Sequence, residues 1–184
     1  MPVTSLLLRP WHGEDAVSLH AIVNATPDLN TQFAGIFLDS NVAARDFITS
    51  NLGWQPDAAC NFAVELDGRA VGNIGLTNIN SRHRTAWTSY WVSGHVRGRG
   101  LAARGAASVA IWAVKELDIF RLELGHRTNN PASCKAATNA GFTPEGIERS
   151  KLQYADRRFD VETHARLASD PLPAWEPITI VVPG

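Results

Sequence analysis

The run Val96-Arg97-Gly98-Arg99-Gly100-Leu101-Ala102 joins an apolar, strand-like segment to a long alanine-rich segment with helical character. Glycines at 98 and 100 let the backbone turn sharply and approach a ligand without a Cβ in the way. The helix that follows offers unpaired N–H groups and the positive end of its dipole. Two arginines can pair with phosphate oxygens. The run therefore predicts a phosphate-binding loop, and a glycine-rich turn with solvated arginines is the alternative that these residues alone leave open.

Composition restricts the class of protein. The 184-residue chain is long enough for one substantial core, and its 17 Lys and Arg are offset by 18 Asp and Glu. This balance excludes the overall basic field that sequence-independent nucleic-acid binding needs, so an anion site must be local. No window approaches the roughly 18 apolar residues of a membrane span, and no targeting pattern is present. We expect a cytoplasmic protein in which Cys60 and Cys134 are reduced.

Upstream of the glycine run, the pattern predicts three consecutive strands. Asp67-Gly68 lies between two apolar runs, 61–66 and 70–79, and supplies the positive-φ positions of a tight hairpin turn. A further strand covers 86–92, so an antiparallel meander is expected. Nearer the N-terminus the patterns predict a strand over 5–9 and helices over 14–23 and from Ser40 to Gly53.

Downstream, strands and helices alternate. A helix is predicted over 101–117, a strand over 121–125, a second helix between Asn130-Pro131 and Gly141, and two strands over 146–152 and 160–167. The order predicts an α/β fold with a mixed sheet and helices on its faces, over residues 1–168. Residues 169–184 are proline-rich and are interpreted as a tail or an edge segment. Within it, 178–182 predicts either a strand added within a dimer or a disordered segment.

Asn130 and Ser133 open the helix that follows the strand after the glycine run. They are expected near the same end of the sheet as Gly98 and Gly100, where ligands lodge beyond the carboxyl ends of diverging strands. Both residue types also suit capping of their own helix, which is the plainer interpretation.

These motifs together carry a resemblance. Arg97-Gly98-Arg99-Gly100-Leu101-Ala102, following Tyr90-Trp91-Val92, resembles the Gln/Arg-x-x-Gly-x-Gly/Ala signature of the GCN5-related N-acetyltransferase (GNAT) family. Similarity to the RimJ/RimL branch extends in order over residues 6–167 through Leu8-Arg9-Pro10-Trp11, Gly72-x-Ile74-Gly75-Leu76, Asn130-x-x-Ser133 and Arg158-x-Asp160-Val161. The resemblance implies a mixed, mostly antiparallel sheet of about seven strands flanked by helices and splayed between the fourth and fifth strands.

The resemblance also implies the chemistry. Acetyl-coenzyme A is the donor, and its pyrophosphate is held by backbone N–H groups of Arg97, Gly98, Arg99, Gly100, Leu101 and Ala102. The strand 86–92 carries a bulge near Val92, whose backbone pairs with the pantetheine arm. Asn130 contacts the coenzyme, and Ser133 contacts it and protonates the departing thiolate.

The implied reaction is direct attack of a primary amine on the thioester through a tetrahedral intermediate. A protein N-terminus is the expected acceptor. The alternatives are a small molecule such as an antibiotic or polyamine, and a coenzyme-A-binding module with weak catalysis. A homodimer is an open alternative to a single chain.

One position departs from the family pattern. Many relatives in this branch carry a glutamate on the fourth strand, where this chain has Trp87, and tryptophan cannot take a proton. Glu123 on the next strand is the candidate replacement base, although its position also suits a solvent-facing residue. Trp87 and Trp11 are candidates for the acceptor-binding wall. The six histidines lack metal-ligand spacing, so no metal site is expected.

Overall fold

One mixed β-sheet runs through the part of the chain that the structure describes, a computed structural model covering residues 5–31, 33 and 36–182. The strands are β1 (Leu6–Pro10), β2 (Trp54–Gln55), β3 (Ala59–Leu66), β4 (Arg69–Asn80), β5 (Thr85–Val92), β6 (Arg121–Arg127), β7 (Thr143–Tyr154), β8 (Arg157–Leu167) and β9 (Thr179–Ile180). The helices are α1 (Ala16–Ala25), α2 (Asn41–Asn51), α3 (Leu101–Glu116) and α4 (Pro131–Asn139). None of these helices has the length and apolar character needed to cross a membrane.

The strand order is β7-β8-β6-β5-β4-β3-β1-β9, and β2 pairs with one end of β3. All pairs are antiparallel except β5 with β6 and β1 with β9. Seven strands are long, and β5 and β6 are the fourth and fifth of them. Their parallel pairing ends at Trp87 and Glu123, the last of only three register pairs. The predicted sheet, with its splay between the fourth and fifth strands, is confirmed.

The meander that supplies β3, β4 and β5 forms as its turn residues predict. Asp67 and Gly68 adopt φ values of 51° and 79°, the left-handed pair that a tight hairpin requires. The register of β4 against β5 is regular from Gly72–Val92 to Thr77–Trp87. The expectation of a bulge near Val92 is therefore wrong. The irregularity lies at the other end of the pair, between Thr77 and Asn80.

Two apolar cores cover the faces of the sheet. One packs β-strand side chains such as Phe62 and Leu122 against α3 and α4, and the other packs Leu19 and Phe47 of α1 and α2 against the opposite face. Helix α3 lies very close to the sheet, because a Cβ on Gly105 would stand 2.8 Å from the Ile74 side chain. The alanine-rich sequence of α3 is what permits this approach.

The C-terminal segment packs against its own chain. β9 pairs in parallel with β1, through Leu7–Thr179 and Leu8–Ile180. Ile178 is buried, and its N–H donates to Ser108 Oγ on α3 at 2.8 Å. β9 is thus an edge strand, as one of the predicted alternatives has it, and it pairs within its own chain rather than within a dimer.

A buried ion-pair group ties β1 to the turn before α1. Both carboxylate oxygens of Asp15 accept hydrogen bonds from the Arg9 guanidinium, at 2.7 and 2.8 Å, and one also accepts from the His12 N–H at 2.9 Å. Burial by itself would raise the pKa of Asp15. The hydrogen bonds from Arg9 and His12 outweigh that effect and lower the pKa below its ordinary value of 3.8.

We predict that Asp15→Asn destabilises the fold by roughly 2 kcal/mol near neutral pH, because the amide cannot replace the charged hydrogen bonds. Since the folded pKa of Asp15 lies below the unfolded one, its contribution is complete above the unfolded value and is lost as the pH falls through the folded value. Urea unfolding from about pH 7 to about pH 3 should therefore show the wild-type and Asp15→Asn curves converging in acid. Asp156→Asn, in the exposed β7–β8 turn, is the control. A gap that stays constant with pH would contradict the assignment.

Candidate active site

The glycine loop sits at the start of α3, and its geometry is that of an anion-binding turn. Gly98 and Gly100 have φ values of 77° and 74°, a left-handed conformation that favours glycine. Gly100 is the N-cap of α3 and supplies no capping side chain, so the first N–H groups of the helix are open toward the loop. Arg97 Nη2 is 2.9 Å from Asp28 Oδ2, and Arg99 is exposed.

A cavity of about 570 Å³ opens where β5 separates from β6. Its wall contains the loop from Val96 to Ala103, the end of β5, and the first turns of α4. The structure thus brings together all the residues predicted to hold the coenzyme, namely Val92, Arg97, Gly98, Arg99, Gly100, Leu101, Ala102, Asn130 and Ser133. Trp175, from the C-terminal segment, also lines this cavity, and its Nε1 donates to Asn139 O at 2.9 Å.

The end of β5 presents its backbone to this opening. The N–H of Ser93 donates to Val71 O at 2.8 Å, so Ser93 bonds toward β4. Because bonding direction alternates along a strand, the polar groups of Val92 and Tyr90 point the other way, toward the splay. Val92 O accepts only a long hydrogen bond, at 3.4 Å, from Arg97 Nε among the contacts of the described residues.

Asn130 and Ser133 cap their own helix, and both also line the first cavity. Asn130 Oδ1 accepts the Ser133 N–H at 3.1 Å, which caps α4. Ser133 Oγ meanwhile lies 3.1 Å from the Tyr90 hydroxyl, which also donates to Ser133 O at 2.8 Å. Capping therefore positions the Ser133 hydroxyl in the cavity wall.

Tyr90 is the functional candidate that sequence reasoning missed. Burial raises the pKa of its hydroxyl, and the hydrogen bond with Ser133 opposes the rise only in part. The phenol is therefore neutral and keeps its proton at neutral pH. Alternation along β5 was the available signal, because Tyr90 and Val92 lie on the same face.

A second cavity, of about 270 Å³, lies on the other side of the Tyr90–Ser133 contact. It shares Tyr90, Asn130 and Ser133 with the first cavity and is otherwise lined by the diverging strands, with Trp87, Ser89, Gly125, His126, Arg127 and Tyr154 among its residues. A ligand in the first cavity and a ligand in the second would therefore meet at the Tyr90–Ser133 pair.

Positively charged side chains of the protein lie over aromatic rings in and beside the second cavity. Lys151 Nζ lies 5.4 Å from the centre of a Trp87 ring. The Arg127 guanidinium lies 5.2 Å from the Tyr154 ring centre and 5.3 Å from that of Phe159. Trp87 thus lines the cavity, as predicted, but its π face is shared with a protein cation.

Two predicted site residues lie elsewhere. Trp11 is 7% exposed in the core beside Trp91, and its Nε1 donates to Asn73 Oδ1 at 2.8 Å. Glu123 Oε1 accepts from Arg121 Nε at 2.6 Å. Neither Trp11 nor Glu123 lines either cavity, so the structure does not bring them to the site.

Comparison with known proteins assigns the family. Residues 5–143, more than half of the chain, match the model of the acetyltransferase (GNAT) domain. The chain is 28% identical over 142 residues to spermidine N(1)-acetyltransferase of Escherichia coli K12, an alignment covering 77% of this chain and 75% of that protein. The structure of RimL, a ribosomal L7/L12 alpha-N-protein acetyltransferase, in complex with coenzyme A superposes with a TM-score of 0.76 at 22% identity, over 89% of this chain and 94% of RimL. Mycobacterium smegmatis RimJ gives a TM-score of 0.77 at 22% identity, over 91% and 88% of the two chains.

The two solved structures share the fold, and the family match accounts for the glycine loop, the splayed strands and the capped α4 as parts of one domain. On these grounds the chain belongs to the GNAT family, as an N-acetyltransferase that takes its acetyl group from acetyl-coenzyme A.

Proposed function

We propose that this enzyme acetylates the α-amino group of a protein or peptide, with acetyl-coenzyme A in the first cavity and the acceptor entering through the second. The observation that carries the proposal is the junction of the two cavities at Tyr90 and Ser133. A thioester at this junction is accessible from both sides, so direct transfer needs no protein nucleophile.

The donor is held by backbone and charge together. Its diphosphate accepts hydrogen bonds from N–H groups of the loop between Arg97 and Ala102, at the positive end of α3. Its pantetheine amides pair with the backbone of Val92, on the open side of β5. Asn130 contacts the arm where it passes the start of α4.

The chemical step forms a C–N bond and breaks a C–S bond. The unprotonated amine attacks the thioester carbonyl, and N–H groups along the open edge of β5 stabilise the oxyanion of the tetrahedral intermediate. Collapse expels the thiolate, which takes a proton from Ser133 Oγ. The neutral Tyr90 hydroxyl, 3.1 Å away, holds Ser133 in position, and solvent in the open cavity returns a proton to Ser133 Oγ.

The attacking amine must also lose a proton, and the residues that line the second cavity indicate which group can accept it. None of the described residues that line it is a carboxylate. An α-amine, with a pKa near 8, is substantially unprotonated near neutral pH, whereas a lysine-type amine near 10.4 is not. Release of the proton to water is therefore sufficient for an α-amine, which suits a site with Trp87 in place of the usual acid.

Charge also favours a peptide over a polyamine. The relative from Escherichia coli acts on spermidine, as its name states. In this chain Arg127 lines the acceptor cavity and Lys151 covers Trp87, so the additional cations of a polyamine would meet like charges. The open edges of β5 and β6 beyond Trp87 offer backbone partners to an extended peptide.

A homodimer stays a prediction, which sedimentation equilibrium of the full chain checks.

The first prediction concerns the donor. Saturating acetyl-coenzyme A should raise the Tm of the wild type, because a ligand that binds only the native state stabilises it. Gly100→Ala should reduce this shift, since alanine strains the left-handed loop. Gly68→Ala, which strains the distant hairpin turn at a similar φ, is the matched control and should lower Tm without reducing the shift. Equal shifts in both variants would contradict the loop assignment.

The second prediction concerns the proton donor. Ser133→Ala should lower kcat about 100-fold in chemistry-limited turnover, because the thiolate leaves without a positioned acid. Tyr90→Phe should have a smaller effect in the same direction. Thr138→Ala, an exposed hydroxyl on the same helix, should leave kcat unchanged. An unchanged kcat in Ser133→Ala would refute its role as the acid.

The third prediction concerns the acceptor. Thiol release should be faster with peptides bearing a free N-terminus than with spermidine, and N-terminally blocked peptides should be inactive. Lys151→Glu and Arg127→Glu should each improve relative kcat/KM for spermidine, because they remove like charge at the cavity. Arg149→Glu, exposed on β7, is the control.

The same panel separates the alternatives. Preference for spermidine in the wild type would overturn the peptide acceptor while leaving acetyl transfer intact. Binding of acetyl-coenzyme A with no turnover of any amine would favour a coenzyme-binding module.

A further inference from the structure

Four donor side chains converge beside the second cavity, which one of them, His126, also lines. They are His126 on β6, Cys134 on α4, and Glu162 and His164 on β8. One ligand atom from each of the four lies within 4.8 Å of all the others. Their positions in the chain form no short metal-binding motif, so only the fold brings them together.

Three of the atoms form a nearly equilateral triangle. His126 Nε2 lies 3.0 Å from His164 Nε2 and 3.2 Å from Glu162 Oε2, and His164 Nε2 lies 3.1 Å from the same carboxylate oxygen. Ligand atoms about 2.0–2.1 Å from a tetrahedral metal stand roughly 3.3 Å apart. The triangle therefore has nearly the size that a shared metal ion requires.

Hydrogen bonds alone satisfy this triangle poorly. His126 Nδ1 is 3.1 Å from Arg127 O, a carbonyl that can only accept, so Nδ1 carries the proton. In the neutral ring Nε2 then bears a lone pair, which faces the lone pairs of Glu162 Oε2. The Nε2–H of His164 can point to one of these two atoms but not to both.

The surroundings of His126 are those of a metal-binding histidine. His126 is 6% exposed and His164 is 1% exposed. A histidine whose Nδ1–H donates to a backbone carbonyl while Nε2 faces a cluster of ligands shows the usual second-layer arrangement of metal sites, and His126 has it. His164 does not, because its Nδ1 has no partner among the described residues.

We propose that His126, Cys134, Glu162 and His164 bind one Zn²⁺ ion in a closed, four-coordinate structural site. Two imidazole nitrogens, one carboxylate oxygen and one thiolate form a donor set that zinc accepts, and the thiolate disfavours Mg²⁺ and Ca²⁺. The Cys134 thiol releases its proton to solvent on binding. All four positions are filled by protein, so the ion takes no part in the acetyl transfer.

The location gives the ion a mechanical role. It joins the first turns of α4 to β6 and β8 through Cys134, the residue after Ser133. Together with the Tyr90–Ser133 contact, this link fixes the turn that carries Ser133. The inference stands independently of the acceptor.

The test uses the full chain, stripped with a chelator and then titrated with ZnSO4 and, separately, CoCl2. We expect one zinc ion per chain and a rise in Tm on zinc addition. Cobalt should give the visible bands of a tetrahedral site together with a thiolate-to-cobalt charge-transfer band. His164→Ala should weaken zinc binding at least about 10-fold, since removal of a direct ligand costs no less than removal of its support. His83→Ala, in the exposed β4–β5 turn, should bind like the wild type.

If the His164→Ala variant does not fold, the Cys134→Ser variant still tests the zinc site. Cys134 is only partly buried, and its loss should abolish the charge-transfer band while the far-UV circular dichroism stays native. Wild-type protein that takes up no zinc, or a cobalt spectrum unchanged in Cys134→Ser, would overturn the site. The cluster would then be a buried set of side chains that share protons.

Discussion

Beyond Trp87 the hydrogen-bond ladder between β5 and β6 stops, and every ligand-binding feature of the protein is arranged around that break. A sheet interior normally pairs all its backbone groups, because an unpaired buried N–H or C=O costs free energy. Here the groups at the end of β5 open onto two cavities instead. A ligand with amides of its own, such as a pantetheine arm, can complete the ladder that the protein leaves unfinished.

Two helices on one face of the sheet lie near the break. Helix α3 approaches the sheet closely at Gly105, against Ile74 of β4, and the capped first turn of α4 lies beside Tyr90 of β5. The Tyr90–Ser133 contact then links a residue of β5 to a residue of α4 across the gap. Binding loop, strand edge and hydroxyl pair are consequently parts of one rigid arrangement rather than separate motifs.

The sequence predicts features that depend on neighbouring residues. The Asp67-Gly68 turn and the glycine loop follow from backbone conformations that few residues adopt, and the Ser40 cap follows from a side-chain oxygen that accepts a helix N–H. Each forms as expected. Features set by distant partners were not predictable in the same way. Trp11 was interpreted as a wall of the acceptor site because nothing local reveals its hydrogen bond to Asn73, 62 positions away. Glu123 is different, since Arg121 two positions before it on the same face was a readable sign of an ion pair.

A nine-stranded sheet has two edges, and each edge strand could pair with another chain. At one edge β9 covers part of β1 and is itself only two residues long, too short to act as a good template. At the other edge β7 is long and exposed, but it carries Pro144 and the charged residues Glu145, Glu148, Arg149 and Lys151. Proline withholds a backbone donor, and pairing with a second copy would remove water from the charged side chains. The two-residue strand near the C-terminus therefore protects the fold against edge-to-edge aggregation, because it covers the part of β1 that consists of three consecutive leucines.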